Sequence, residues 1–140
     1  MFAKLSTVIP PFTDTGVLPP GVHPATLAEI ADRFGRSSEL RRAQMESVRW
    51  MIDLARRAGV QRIVLNGSFV TDIIEPNDVD CVRLSLPGQQ RDRSAIKELQ
   101  DGLPFLSVAL VDEDGFDQLV NRFFVTDRFG RSKGMIEVIE

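Results

Sequence analysis

The chain is 140 residues long with 43% hydrophobic content, which fits one domain built on a single core. Its net charge of −3 excludes the broad basic footprint that nucleic-acid binders usually carry. The single cysteine, Cys81, excludes an internal disulfide and suits a reducing cytoplasm, and no apolar run approaches membrane-spanning length.

The first residues, Met1-Phe2-Ala3-Lys4-Leu5, lack the apolar centre of a signal peptide, so a cytoplasmic protein without membrane association is expected. Pro10, Pro11, Pro19, Pro20 and Pro24 then crowd together with Gly16 and Gly21. That density forbids a long helix and predicts an extended arm over residues 1–24, docked on a body formed by residues 25–140. Val8, Ile9, Phe12, Val17 and Leu18 supply the apolar side chains for docking. His23, the only histidine, precedes Pro24, which suits the first position of a helix running to about Phe34 and stopped by Gly35. In that place His23 is a cap or turn residue rather than a catalytic base. A lone histidine also removes multi-histidine metal sites.

Ser37 or Ser38 caps a second helix that ends at about Ala58, with Gly59 as its stop. Leu40, Ala43, Val48, Met51, Ile52 and Ala55 recur at three- and four-residue spacing and form one apolar stripe. Arg41, Arg42, Arg49, Arg56 and Arg57 then occupy a solvated face, and Trp50, off the centre of the stripe, is expected to fill an edge of the core rather than cover the docked arm or a partner. Arg62 to Asn66 predicts a short buried strand, and a second strand runs from about Val79 to Leu86, where Pro87-Gly88 breaks it. Cys81, in that strand, is expected to be a buried small hydrophobe rather than a reactive thiol. Residues 91–101 predict an amphipathic helix ending at Gly102, residues 105–111 a third strand, and residues 113–122 a short helix. The tail predicts a β-hairpin, with arms at 123–126 and 135–139. Helices ahead of a mixed run of strands make this an α+β or α/β domain, a small mixed sheet covered by helices.

The most informative stretch lies between Val64 and Asp80. An apolar run ends in Gly67-Ser68, a loop with a Pro76-Asn77 turn follows, and Asp78 and Asp80 flank Val79. On a strand, alternation points Asp78 and Asp80 to one face. Adjacent carboxylates repel unless a cation lies between them. Glycine allows close backbone approach and Ser68 adds a hydroxyl, so the Gly67-Ser68 corner suits phosphate oxygens, while the aspartates offer hard oxygen ligands to Mg2+ or Mn2+. Phosphoryl or nucleotidyl transfer is the reaction class consistent with both halves.

These residues resemble a known signature. Apolar-Gly67-Ser68, nine intervening residues and Asp78-Val79-Asp80 are similar to the motif of the polymerase-beta-type nucleotidyltransferase superfamily. More narrowly, Leu18-Pro19-Pro20-Gly21-Val22-His23-Pro24, Gly67-Ser68-Phe69-Val70-Thr71, Pro76-Asn77-Asp78-Val79-Asp80 and the tail from Phe124 to Gly134 look like a family of small uncharacterised bacterial proteins related to the minimal nucleotidyltransferases. The resemblance implies a nucleotidyltransferase-like fold, Gly67 and Ser68 holding an NTP triphosphate, and Asp78 and Asp80 binding Mg2+ or Mn2+. It implies transfer of a nucleotide to a protein or RNA acceptor, beside a protein partner, in a toxin–antitoxin or phage-defence pair. The superfamily places a third acid on a later central strand. Residues 105–111 carry none, and Asp112 at their end is the candidate for a third catalytic acid. The alternative is a catalytically inactive member of the same fold, acting as a binding or regulatory subunit. A third possibility is a nucleic-acid-binding module using the arginine-rich helix, against which the acidic balance counts.

Overall fold

A computed structural model describes residues 9–84, 92–123 and 133–139. Five strands form one mixed sheet: β1 (Gly21–Ala25), β2 (Arg62–Asn66), β3 (Val79–Leu84), β4 (Leu106–Val111) and β5 (Gly134–Val138). Their order across the sheet is β1-β5-β2-β3-β4. The two outer pairs, β1 with β5 and β3 with β4, are parallel, and β2 runs antiparallel to both β5 and β3. Helices α1 (Leu27–Phe34), α2 (Glu39–Ala58), α3 (Arg93–Asp101) and α4 (Glu113–Gln118) complete the fold, with a π-helical turn, Leu119–Phe123, continuing α4. The domain is therefore α+β, as its pattern of elements predicts. Among the described residues no helix is long and apolar enough to cross a membrane.

Strand alternation divides the core in two. Ile63 and Leu65 of β2 and Val79 and Cys81 of β3 face a large cluster with Ile30 and Phe34 of α1, Val48, Met51, Ile52 and Ala55 of α2, and Ala95 and Leu99 of α3. Each large aliphatic side chain buried there contributes roughly 1.5–3 kcal/mol. Val64, Val82, Leu84 and Met135 face the other way, onto Phe116 and Val120 of α4 and its π turn. Burial holds Cys81 protonated, its thiol pushed up to about 12, which fits a packing role.

The helices begin and end where local chemistry satisfies their ends. Ser38 caps α2 by accepting the Arg41 N–H at 3.0 Å, and Gly59 closes it in the left-handed region at φ 84°. The start of α1 differs from expectation. Pro24 is not its first residue, because Thr26 and Glu29 form a reciprocal capping box two residues later. Pro24 lies instead in β1, an edge strand, where a missing N–H costs no central ladder bond. His23 is thus a strand residue, and its Nε2–H donates to the Pro19 carbonyl at 2.7 Å.

Three further expectations change. The C-terminal arm of the hairpin exists as β5, but it pairs with β1 and β2; residues 124–126 of the other arm lie outside the described residues, and Phe123 belongs to the π turn. Of the strand expected from about Val79 to Leu86, Val79–Leu84 is β3 and residues 85–86 lie outside the described residues. Trp50 is 46% exposed rather than an edge of the core, and Arg41 is buried, whereas Arg42, Arg49, Arg56 and Arg57 are solvated.

The arm's described part is held at several points. Ile9 and Leu18 are buried, Phe12 packs against Phe34 at 6.1 Å between ring centroids, and Arg33 lies over the Phe12 ring. Val17 bridges to Thr71, and Gly16 accepts the Asp72 N–H at 3.0 Å. These last contacts tie the arm to the loop between β2 and β3.

Candidate functional site

The loop from Gly67 to Asp78 begins with a backbone conformation that only glycine adopts readily, φ 85° and ψ −170°. A Cβ at Gly67 would stand 2.9 Å from Asp80 Oδ2 and 3.3 Å from the Asp78 carbonyl oxygen. The Asp80 carboxylate therefore lies against the Gly67 backbone, and the Gly67-Ser68 corner and the aspartate pair meet in space. Ser68–Val70 forms one 3-10 turn after the glycine, and its leading amides have no acceptor within the turn.

Ser68 also braces the loop. Its Oγ accepts the Asn77 N–H at 3.1 Å, and its carbonyl accepts the Thr71 hydroxyl at 2.6 Å. The hydroxyl read as a phosphate contact thus holds the two ends of the loop together in this structure.

Asp80 stands opposite Asn66 on β2 and opposite Ser107 on β4. It is half-buried, and Asp78, just before the strand, is exposed. Burial pushes the Asp80 carboxyl above the usual carboxylate range; the Lys133 ammonium opposes this, and the Asp78 carboxylate adds to it. Ionised Asp80 is therefore a site of stored electrostatic cost, which a cation relieves.

Asp112 is not brought to this place. Parallel pairing sets Asp80 beside Ser107, and Asp112 follows five residues later, roughly 16 Å along the strand at the usual rise. Its carboxylate caps α4 by accepting the Gly115 N–H at 2.9 Å. Among the described residues no group of three His, Cys, Asp or Glu side chains is placed to hold a metal ion. Two carboxylates nonetheless fit Mg2+ or Mn2+, because Mg2+ is usually held by one or two carboxylates together with substrate phosphates and water.

Two residues of α2 that position the loop were not singled out by sequence. Arg41 is 3% exposed and donates to four carbonyl oxygens: Nη1 to Phe34 at 3.0 Å and Phe69 at 2.7 Å, Nη2 to Thr71 at 2.8 Å and Ile73 at 2.6 Å. Gln44, one turn on, donates Nε2–H to the Pro76 carbonyl at 2.9 Å. Together they fix both limbs of the loop against the helix. A signal was present: Arg41 and Gln44 extend the Val48, Met51, Ala55 stripe toward the N-terminus at the same spacing.

Asn66 was read only as the end of a strand. It is 1% exposed, and its Oδ1 has no hydrogen-bond partner among the described residues. A cavity of about 390 Å³ lined by Asp114, Asp117, Gln118 and Asn121 shares no residue with this corner.

Searches of curated proteins and of solved structures find no match to this chain. Residues 10–139 match the family of unknown function DUF6932, a span that takes in the arm from Pro10 on, the loop and β1 to β5, and the chain belongs to that family.

Proposed function

We propose that this chain is a metal-dependent nucleotidyltransferase that moves a nucleotide from an NTP to a protein or RNA acceptor. The observation that carries the reading is the contact between two motifs, Gly67 and Asp80 being thirteen residues apart in sequence: the Asp80 carboxylate lies against the place a Gly67 side chain would take. In this reading the Gly67 and Ser68 backbone cradles the triphosphate, with the open space at Gly67 admitting phosphate oxygens close to the main chain. Asp78 and Asp80 hold Mg2+ or Mn2+, which when bound offsets phosphate charge and activates the attacking oxygen. Transfer joins an acceptor oxygen to the α-phosphorus and releases pyrophosphate. Arg41 and Gln44 keep the loop in place, so Asp78 and Ser68 need no reorganisation when substrate arrives. The resemblance to the minimal nucleotidyltransferases extends this to a nucleotidyltransferase-like fold and a protein partner, in a toxin–antitoxin or phage-defence pair.

A second reading, a non-catalytic binding or regulatory subunit, is favoured by one observation. On β4 the residue beside Asp80 is Ser107, not an acid, and Asp112 is too far along the strand to replace it. Incubating the protein with each of the four labelled NTPs and Mg2+ or Mn2+, then reading label on protein and RNA, separates the two. The enzyme reading expects metal-dependent label that Asp80→Asn abolishes. No label with any NTP, or undiminished label in Asp78→Asn/Asp80→Asn, overturns it.

A further inference from the structure

Asn66 is the last residue of β2, and its place in the ladder decides which way its side chain goes. Directly opposed residues on antiparallel strands project to the same face, with Cβ atoms roughly 4.5–5.5 Å apart. Asn66 is the direct partner of Asp80, so the amide and the carboxylate share one face at the end of the sheet that carries Gly67 and Asp78. The Asn66 side chain is enclosed, 1% exposed, and yet its Oδ1 accepts no hydrogen bond among the described residues. An amide oxygen buried on the same face as a carboxylate, with no donor among the described residues, is unfavourable in the empty site and becomes favourable once an electropositive centre arrives.

We propose that Asn66 Oδ1 is a third protein oxygen for the divalent cation held by Asp78 and Asp80. This rests on the cation reading above and adds to it the residue that completes the protein's share of the ligands. Mg2+ and Mn2+ take carboxylate and neutral carbonyl-type oxygens alike, and affinity is tuned by how many ligands are charged. Two carboxylates and one amide give a site of lower charge than three acids. Such a site leaves more of the cation's charge for the substrate phosphates.

The test is Mn2+ binding by the full chain without nucleotide, read by loss of the free Mn2+ paramagnetic-resonance signal, for the wild type, Asn66→Leu, Asn66→Asp and Asp80→Asn. A second readout is the side-chain amide NMR resonance of Asn66 during titration with Mg2+. Asn66→Leu is expected to weaken Mn2+ binding about tenfold or more. Asn66→Asp, which preserves shape and adds a charged ligand, is expected to tighten it by about the same factor and to enlarge the rise in Tm that Mn2+ produces. The Asn66 amide resonance should move at the Mg2+ concentration that saturates the site. If Asp80→Asn abolishes binding while both Asn66 variants bind as the wild type does, or the Asn66 resonance stays fixed, the third ligand is wrong and the carboxylate site stands. If the wild type binds no Mn2+ at millimolar concentration, the carboxylate site and the third ligand fall together.

Discussion

Two buried arginines mark the two ends of the sheet, and their surroundings are opposite. Arg41, beside the loop that follows β2, gives its guanidinium hydrogens to four carbonyl oxygens. Arg83 lies near the other end of β3, between Ile63 and Leu110 in the ladder, 2% exposed, with Nε and Nη1 unpartnered among the described residues. Burial lowers the pKa of both; Asp72 opposes it at Arg41, and the neighbouring Cys81 at Arg83. A buried cation that satisfies the backbone of a loop fixes that loop. One that leaves two of its buried nitrogens without an acceptor among the described residues carries a cost to the fold. The end of the sheet with Gly67, Asp78 and Asp80 is thus the over-determined end, which is where a preorganised site belongs.

The largest expected effect tests Arg41. Arg41→Met removes every donor to Phe34, Phe69, Thr71 and Ile73, and should destabilise the protein by about 3 kcal/mol or more in urea unfolding, since buried acceptors are left unmade. It should also weaken Mn2+ binding, because the loop leading to Asp78 loses its anchor. Gly67→Ala comes next. Its φ of 85° and the 2.9 Å approach to Asp80 Oδ2 should cost about 1–3 kcal/mol, with the carboxylate displaced. A crystal structure of the variant with Asp80 unmoved would remove the argument that these motifs are fitted to each other.

Arg83→Met should act with the opposite sign. Replacing a buried charge that has two nitrogens without an acceptor among the described residues with an apolar chain of similar reach is expected to stabilise by about 1 kcal/mol or more, read in the same urea titration. A loss as large as that of Arg41→Met would break the contrast between the two ends. The smallest effect concerns Asp80 itself. Its pKa is raised by burial, opposed by Lys133 and reinforced by Asp78, so the ionised form is the disfavoured one in the fold. The cost is present above the raised value and vanishes as pH falls toward the ordinary value of 3.8. Asp80→Asn should therefore make the metal-free protein slightly more stable at neutral pH, while removing metal binding. Thermal melts of wild type and variant should converge as the pH is lowered; a gap that widens instead would reverse the sign assigned to Asp80.

Much of the fold was legible because its signals are local. Ser38, Gly59 and the stripe through Val48, Met51, Ile52 and Ala55 specify α2 almost to the residue, since caps and helical periodicity act within a few residues. Of the candidate site, Gly67 and Asp80 could be placed together because a strand, a loop and a strand leave few other arrangements. Asn66 and Arg83 were not recognisable as unusual, because a polar residue in a strand looks the same in sequence whether its partner is water, a side chain or nothing. Arg41 was assigned to the wrong face because its charge was weighed above its spacing. Four backbone acceptors reaching it from α1 and the loop reverse that balance, and they exist only after the chain has folded.

The sequence by itself determined the α+β class, the places of α2, β2, β3, β4 and α3, and the pairing of Gly67-Ser68 with Asp78 and Asp80 as candidate chemistry. Those follow from alternation, capping and glycine's backbone freedom, all properties of short segments. The tertiary structure alone decided that His23 and Pro24 join an edge strand, that β5 lies between β1 and β2, and that Asp112 is held away from Asp80 by the parallel register of β3 and β4. Register and strand order are settled by packing between distant segments, where a shift of one residue turns every side chain to the other face. That is why the composition of the site could be read from the chain, while the neighbour of Asp80 across the ladder, Asn66, needed the folded sheet.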